Sequence, residues 1–248
     1  AGNVTSGASH GYVYSLIYTG TSGPDNLVGT AASEVFYALE SNDTVNGGAG
    51  ADTMYGGPGD DIYTVDNLAD SVIEEASAGS DLVYSSVDWT LGANVERLSL
   101  SGGAAISGTG NELSNTLSGQ NSSGANVLTG KAGDDAYYVG VNDVVVEASG
   151  EGNDIVYSKI SWTLSANVER LYLYGTAGGV VGTGNGLANK IYAHDNGSAD
   201  TLIGGQGNDT YEVKTDDIIV ELNGQGSDSA NCYGDYTLAT GVSVENLF

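Results

Sequence analysis

From Gly20 the chain divides into nines: "GTSGPDNLV", "GTAASEVFY", "ALESNDTVN", "GGAGADTMY", "GGPGDDIYT". The sixth position reads Asp25, Glu34, Asp43, Asp52, Asp61, and the eighth reads Leu27, Phe36, Val45, Met54, Tyr63. A repeat this regular decides the fold before any other feature is weighed. Glycine at positions one, two and four opens backbone angles closed to other residues, so a tight turn forms there. Positions seven to nine form a short strand whose side chains alternate, with position eight pointing one way and its neighbours the other. Two turns and two strands make a coil of about 18 residues, and stacked coils give two parallel sheets around a narrow core. The expected fold is all-β: a right-handed parallel β-roll, or β-solenoid, of nonapeptide repeats.

A longer period overlies the short one. "GDDIYTV" at 59 returns as "GDDAYYV" at 133 and "GNDTYEV" at 207, so Tyr63, Tyr137 and Tyr211 lie 74 residues apart. "SSVDWTLGANVERLSL" returns as "SKISWTLSANVERLYL". Worn nonapeptides within these units carry Asp70 with Val72, Asp81 with Val83, Asp143 with Val145, Asp154 with Val156, Asp217 with Ile219 and Asp228 with Ala230. The organisation read from this is a cap or linker strand over 1–19, with Tyr12, Tyr14, Leu16 and Tyr18 alternating. One continuous roll follows over 20–248. Its nonapeptide array covers 20–64, and long repeats start near 56, 130 and 204. Roughly 13 coils at ~4.8 Å each would make it about 60 Å long.

Charge now becomes informative. Six Lys and Arg face 32 Asp and Glu, a net charge of −26. Two carboxylates ~4 Å apart repel by about 1 kcal/mol in water and about 4 kcal/mol at a protein-like dielectric. Six basic residues cannot neutralise the array by salt bridges, but bound cations can. The same balance excludes a nucleic-acid partner, which needs a basic footprint, and disfavours anionic membranes. No apolar run approaches the ~20 residues of a membrane span. The single Cys232 gives neither an internal disulfide nor a cysteine zinc site, and is expected to be an inert thiol. A start at Ala1 without a signal-peptide pattern is expected of a processed chain or an excised piece.

The units "GGAGADTMY", "GGPGDDIYT" and "GGQGNDTYE" resemble the calcium-binding nonapeptide of the RTX (repeats-in-toxin) family, G-G-x-G-x-D-x-U-x with U a large apolar residue. The resemblance runs over 20–248, closest at 20–64 and 204–212. It implies several Ca²⁺ ions, with turn carbonyls at positions two and four, such as those of Gly48, Gly50, Gly57, Gly59, Gly205 and Gly207, among the ligands. It also implies a bacterial protein exported unfolded by a type I route, folding on calcium outside the cell.

The residues support a calcium site in their own right. Ca²⁺ takes six to eight oxygens at 2.3–2.6 Å, and Mg²⁺ is a poorer guest because it demands strict octahedral geometry. Successive nines alternate edges, so turns eighteen residues apart share one. The expected pairs are Asp25 with Asp43, Glu34 with Asp52, Asp43 with Asp61, and Asp52 with Asp70. Asp81, Asp135, Asp143, Asp154, Asp209, Asp217 and Asp228 complete the candidate ligands. Asn115, Asn126 and Asn189 replace the acid in other turns, and those coils are expected to hold no metal.

The remaining motifs carry less. "GASHG" at 7–11 fits G-x-S-x-G, but it lacks the strand–turn–helix context that makes Ser9 a nucleophile. His10 and His194 are expected in loops. Trp89 and Trp162 recur in matched positions and read as core packing. Arg97 and Arg170, beside Glu96 and Glu169, read as structural ion pairs or as stacked on tyrosines. No acid–base or nucleophile constellation is visible, so the chain reads as non-catalytic, with any catalytic part outside it. The competing readings are a surface adhesin, an S-layer or polysaccharide-binding module on the same scaffold, or the tail of a secreted protease, lipase or epimerase. Cell-surface polysaccharide or protein is thus a further partner alongside calcium.

Overall fold

The computed structural model describes residues 16–175, 179–194 and 197–248, together with the backbone of 3–5. Ser9, His10, Tyr12 and Tyr14 lie outside the described residues. The chain is an all-β parallel solenoid of about 12 turns with about 19 residues in each, and no helix among the described residues. One wall is a single sheet of 13 strands, running from Asn26–Val28 to Asn246–Leu247, each paired in parallel with the strand one coil on. The facing wall is broken into a five-stranded and two four-stranded sheets. Its breaks fall after Ser71–Ile73 and Val144–Val146, and the next sheets begin at Trp89–Thr90 and Trp162–Thr163.

The expected 18-residue coil holds through the nonapeptide array and its flanks, where Leu16 stands in register with Glu34, Asn26 with Thr44 and Ile62, and Thr53 with Ser71. Beyond it the stride changes. Ile62 pairs with Leu82, Leu82 with Arg97, Arg97 with Thr116, and Thr116 with Ala136. These steps, one of them short, complete one 74-residue unit in four coils. Four steps, the second again the short one, recur from Ala136 through Ile155, Arg170 and Lys190 to Thr210. The long repeat is therefore a four-coil unit. Coils longer than 18 residues outnumber the short one, which lowers the turn count below the 13 expected.

Leu16–Thr19 already belongs to the roll. It pairs in parallel with Glu34–Tyr37, while Asn3–Thr5 closes the sheet edge in the antiparallel sense. Position-eight residues fill the core as their alternation dictates: Phe36, Val45, Met54, Val83, Val156 and Ala230 are fully buried. Each large apolar side chain buried in this way contributes about 1.5–3 kcal/mol. Tyr63, Tyr137 and Tyr211 are the largest fully buried side chains, and each brings a hydroxyl that needs a partner. Trp89 is buried and Trp162 half-buried against the core. Among the described residues, Arg97 and Arg170 form no ion pair with Glu96 or Glu169. Their guanidinium groups donate to the Ser80 and Asn153 carbonyls, because Glu96 and Glu169 are already engaged with the backbone N–H groups of Asp81 and Asp154.

Candidate metal centres

The acidic position-six residues form ladders along the edges of the roll. The backbone N–H of Asp25 donates to Asp43 Oδ1 at 2.7 Å, Glu34 to Asp52 at 2.8 Å, Asp43 to Asp61 at 2.7 Å and Asp52 to Asp70 at 2.9 Å. These are the four pairs expected from the eighteen-residue spacing. The ladder continues from Asp61 to Asp81, from Asp135 to Asp154 and from Asp209 to Asp228. Glu96, Glu169 and Glu245 close these three runs. Asp200 belongs to the ladder on the other edge, accepting from Val180 and donating to Asp217. It was missed in the sequence because its glycine-poor turn hides the repeat phase.

One carboxylate oxygen of each rung is thus committed to the backbone. The other oxygen is the informative one. Oδ2 of Asp43, Asp52, Asp61, Asp81, Asp135, Asp200 and Asp209 is buried without a hydrogen-bond partner. A buried, unpartnered carboxylate oxygen is strongly unfavourable unless a cation or a proton meets it. Asp70, Asp143 and Asp217 differ: their second oxygens also accept backbone N–H groups, from Asn67, Gly140 and Lys214 respectively. The candidate ligand glycines Gly48, Gly57, Gly59, Gly205 and Gly207 hold positive φ, as the turns require.

The asparagine coils provide an internal control. Asn115 and Asn189 accept at Oδ1 from within their own turns, from the N–H groups of Asn111 and Asn185. Their Nδ2 groups donate to backbone carbonyls, Asn115 to Val95 and Glu96, and Asn189 to Val168 and Glu169. Asn126 likewise donates to Gly124 and to Asp143 Oδ1. In these coils an amide supplies the positive hydrogens, while in the aspartate coils the same corner presents only oxygen. The donor set therefore fits a hard cation: carboxylate and carbonyl oxygens, with neither His nor Cys in the clusters.

At three places, 74 residues apart, the ladder gains a third acid. Asp61, Glu74 and Asp81 bring one carboxylate oxygen each to within 4.8 Å of one another, as do Asp135, Glu147 and Asp154, and Asp209, Glu221 and Asp228. All nine residues are buried. The core tyrosines reach the same points: Tyr63 donates to Glu74, Tyr137 to Glu147 and Tyr211 to Glu221. The glutamates were not among the ligands expected from the sequence. Their signal was present, since each precedes the next ladder aspartate by seven residues in "EEASAGSD", "EASGEGND" and "ELNGQGSD". It was masked because a glutamate stands where the nonapeptide has its first glycine.

Electrostatics follow from burial. Desolvation, foremost, pushes Asp52, Asp61, Asp81, Asp154 and Asp209 up to about 6, Asp135 and Glu74 to about 7, and Glu147 to about 8, with neighbouring carboxylates adding to the rise. Asp43, Asp70, Asp200, Asp228 and Glu221 are raised for the same first reason. Asp25 is instead held low, by hydrogen bonds from Thr21. At an effective dielectric near 20, each ionised pair about 4–5 Å apart repels by about 3–4 kcal/mol. A divalent ion between them reverses that sign.

Comparison with known proteins agrees with this chemistry. The RTX calcium-binding nonapeptide repeat matches in four copies, over residues 28–63, 109–143 and 192–212. Among curated proteins, the endo-1,3-1,4-β-glycanase ExsH of Rhizobium meliloti (strain 1021) is 34% identical over 110 residues, covering 38% of this chain and 23% of the glycanase. The match thus spans about a quarter of that relative.

Proposed function

We propose that this chain of RTX calcium-binding nonapeptide repeats is a non-catalytic β-roll module of a secreted bacterial protein, folding when Ca²⁺ fills its turns outside the cell. The observation that carries the reading is the contrast between the aspartate and asparagine coils. The Asn115 and Asn189 amides each bond two carbonyls, whereas Asp43, Asp52, Asp61, Asp81, Asp135, Asp200 and Asp209 each leave a buried oxygen for a cation. The turn carbonyls of Gly48, Gly50, Gly57, Gly59, Gly205 and Gly207 are the further ligands we assign. In low calcium the carboxylates repel and the unfolded chain is favoured. Calcium binds the folded form alone and stabilises it by mass action. The perturbed acids are buried beneath the turns, which favours a structural role over acid–base catalysis. Circular dichroism of the chain in EDTA and after calcium addition tests the reading. β-structure should appear with calcium, whereas a full β spectrum in EDTA with no bound ion would sink it.

A second reading, binding of an extracellular polysaccharide, is favoured by one surface. Tyr138, Tyr157, Tyr172 and Tyr192 stand in register on the outside of the long sheet, with ring centroids 4.8, 5.6 and 5.7 Å apart. Lys159, Lys190 and Lys214 lie over Tyr174, Tyr192 and Tyr233. Half of the chain's six cations are thus gathered at one aromatic face of a strongly acidic molecule. Retention on 1,3-1,4-β-glucan or an acidic polysaccharide, lost in Tyr172→Ala/Tyr192→Ala, supports this reading; equal elution of both proteins removes it.

A further inference from the structure

We propose that the three Asp–Glu–Asp clusters are a separate, tighter class of calcium site, one per 74-residue unit, which fills before the plain aspartate ladder. The inference rests on the calcium reading above and divides its ions into two kinds. The nonapeptide pattern has no place for the glutamate. Tyr55 pairs with Ile73, so Glu74 occupies, one coil later, the position of Gly56. Thr129 with Val146 and Ile203 with Val220 put Glu147 over Gly130 and Glu221 over Gly204 in the same way. All three glutamates lie outside the residues matched by the repeat family.

The space beneath each glutamate is shaped for the cluster. A β-carbon on Gly56 would overlap the Tyr63 hydroxyl, Asp61 Oδ2 and Glu74 Oε1 together. Gly130 and Gly204 meet the equivalent aspartate and tyrosine oxygens. Orphaned oxygens point into the clusters: Asp61 Oδ2, Glu74 Oε2 and Asp81 Oδ2 in the first, Asp135 Oδ2 and Glu147 Oε2 in the second, and Asp209 Oδ2 in the third. Asp61 and Asp135 are wholly inaccessible to solvent. The three ligand atoms of each cluster lie within 4.8 Å of one another, no farther apart than ligands on opposite sides of an ion with bonds of about 2.4 Å, within the calcium range.

Three features make these sites tighter than a ladder site. A third carboxylate raises the ligand charge, the quantity that tunes calcium affinity. The tyrosine hydroxyl fixes the glutamate by a hydrogen bond, which orients a ligand before the ion arrives. The acids come from consecutive coils, so one ion clamps the stack at each unit. Ladder positions such as Asp43 and Asp52 have the orphaned oxygen without the glutamate.

The experiment is a calcium titration of the full chain in chelator-buffered solutions, with bound ions counted by mass spectrometry of the metal. The expected isotherm has a tight phase of three ions, about tenfold or more tighter than the rest. E74Q, E147Q and E221Q should each remove one ion from that phase, and the triple variant all three. D43N should leave the tight phase intact. A single-class isotherm, or three tight ions retained in E147Q, overturns the proposal while leaving the calcium reading standing. Absence of any bound calcium overturns both. The single variants decide the matter should the triple variant fail to fold.

Discussion

The backbone N–H of Asn115 donates to Asp135 Oδ1 at 2.6 Å, so the two stand in adjacent coils as consecutive rungs of one ladder. One rung is complete with its own amide hydrogens; the other carries an oxygen without a partner. Exchanging the two chemistries should exchange their behaviour. Asp135→Asn should stabilise the calcium-free roll by about 1–3 kcal/mol, because it removes a buried charge and keeps the shape. It should also cost one bound ion. The β-structure retained in EDTA, read by circular dichroism, and metal counts measure both, and a variant with less calcium-free β-structure than the parent would contradict the account.

Protonation should partly replace calcium. Asp52, Asp61 and Glu147 have ordinary values near 4 in the unfolded chain, and burial pushes them up to about 6, about 6 and about 8 in the fold. Between pH 4 and 8 the folded form therefore binds more protons, and its stability falls as pH rises. This stabilisation is fully present below about pH 4 and is lost through pH 6–8. At about 1.4 kcal/mol per unit, one group raised by two units accounts for about 3 kcal/mol. In EDTA, β-structure and the urea midpoint should drop from pH 5 to pH 8. With saturating calcium the slope should reverse, because the ion requires deprotonated ligands. A calcium-free roll that gains stability with pH would refute this.

The core tyrosines offer a separate test. Tyr137→Phe removes the hydroxyl that donates to Glu147 and leaves that carboxylate with fewer partners. The calcium-free fold should lose about 1–3 kcal/mol at pH 5. With calcium the loss should be smaller, since the ion itself meets the carboxylate. Equal losses in both conditions would mean that the cluster does not hold an ion.

The parallel roll was legible because the nine-residue period states its turns and strands outright, from Asp25 to Tyr63. The four pairs eighteen residues apart were legible for the same reason. Coil length was less so: the short coil from Leu82 to Arg97 has no nonapeptide to announce it, and it sits where the facing wall breaks. Glu74, Glu147 and Glu221 were hidden because a charged residue at a glycine position reads as wear. Only the stacked coils reveal that each fills the space over a glycine and meets a tyrosine from the core.

That space can be tested directly. Gly130 is not among the residues with positive φ, so alanine fits its backbone, but a β-carbon there would overlap Asp135 Oδ2 and the Tyr137 hydroxyl. Gly133, three residues on, has φ +117°, with the Leu113 carbonyl against any β-carbon. Gly133→Ala therefore strains the turn itself and should destabilise the roll with or without calcium. Gly130→Ala should act on the ion, lowering the affinity of one site by about tenfold, or about 1.4 kcal/mol. Calcium titration and urea unfolding of the two variants separate the effects. If Gly130→Ala keeps full affinity, the glycine is there for the turn alone and the cluster does not need the space above it.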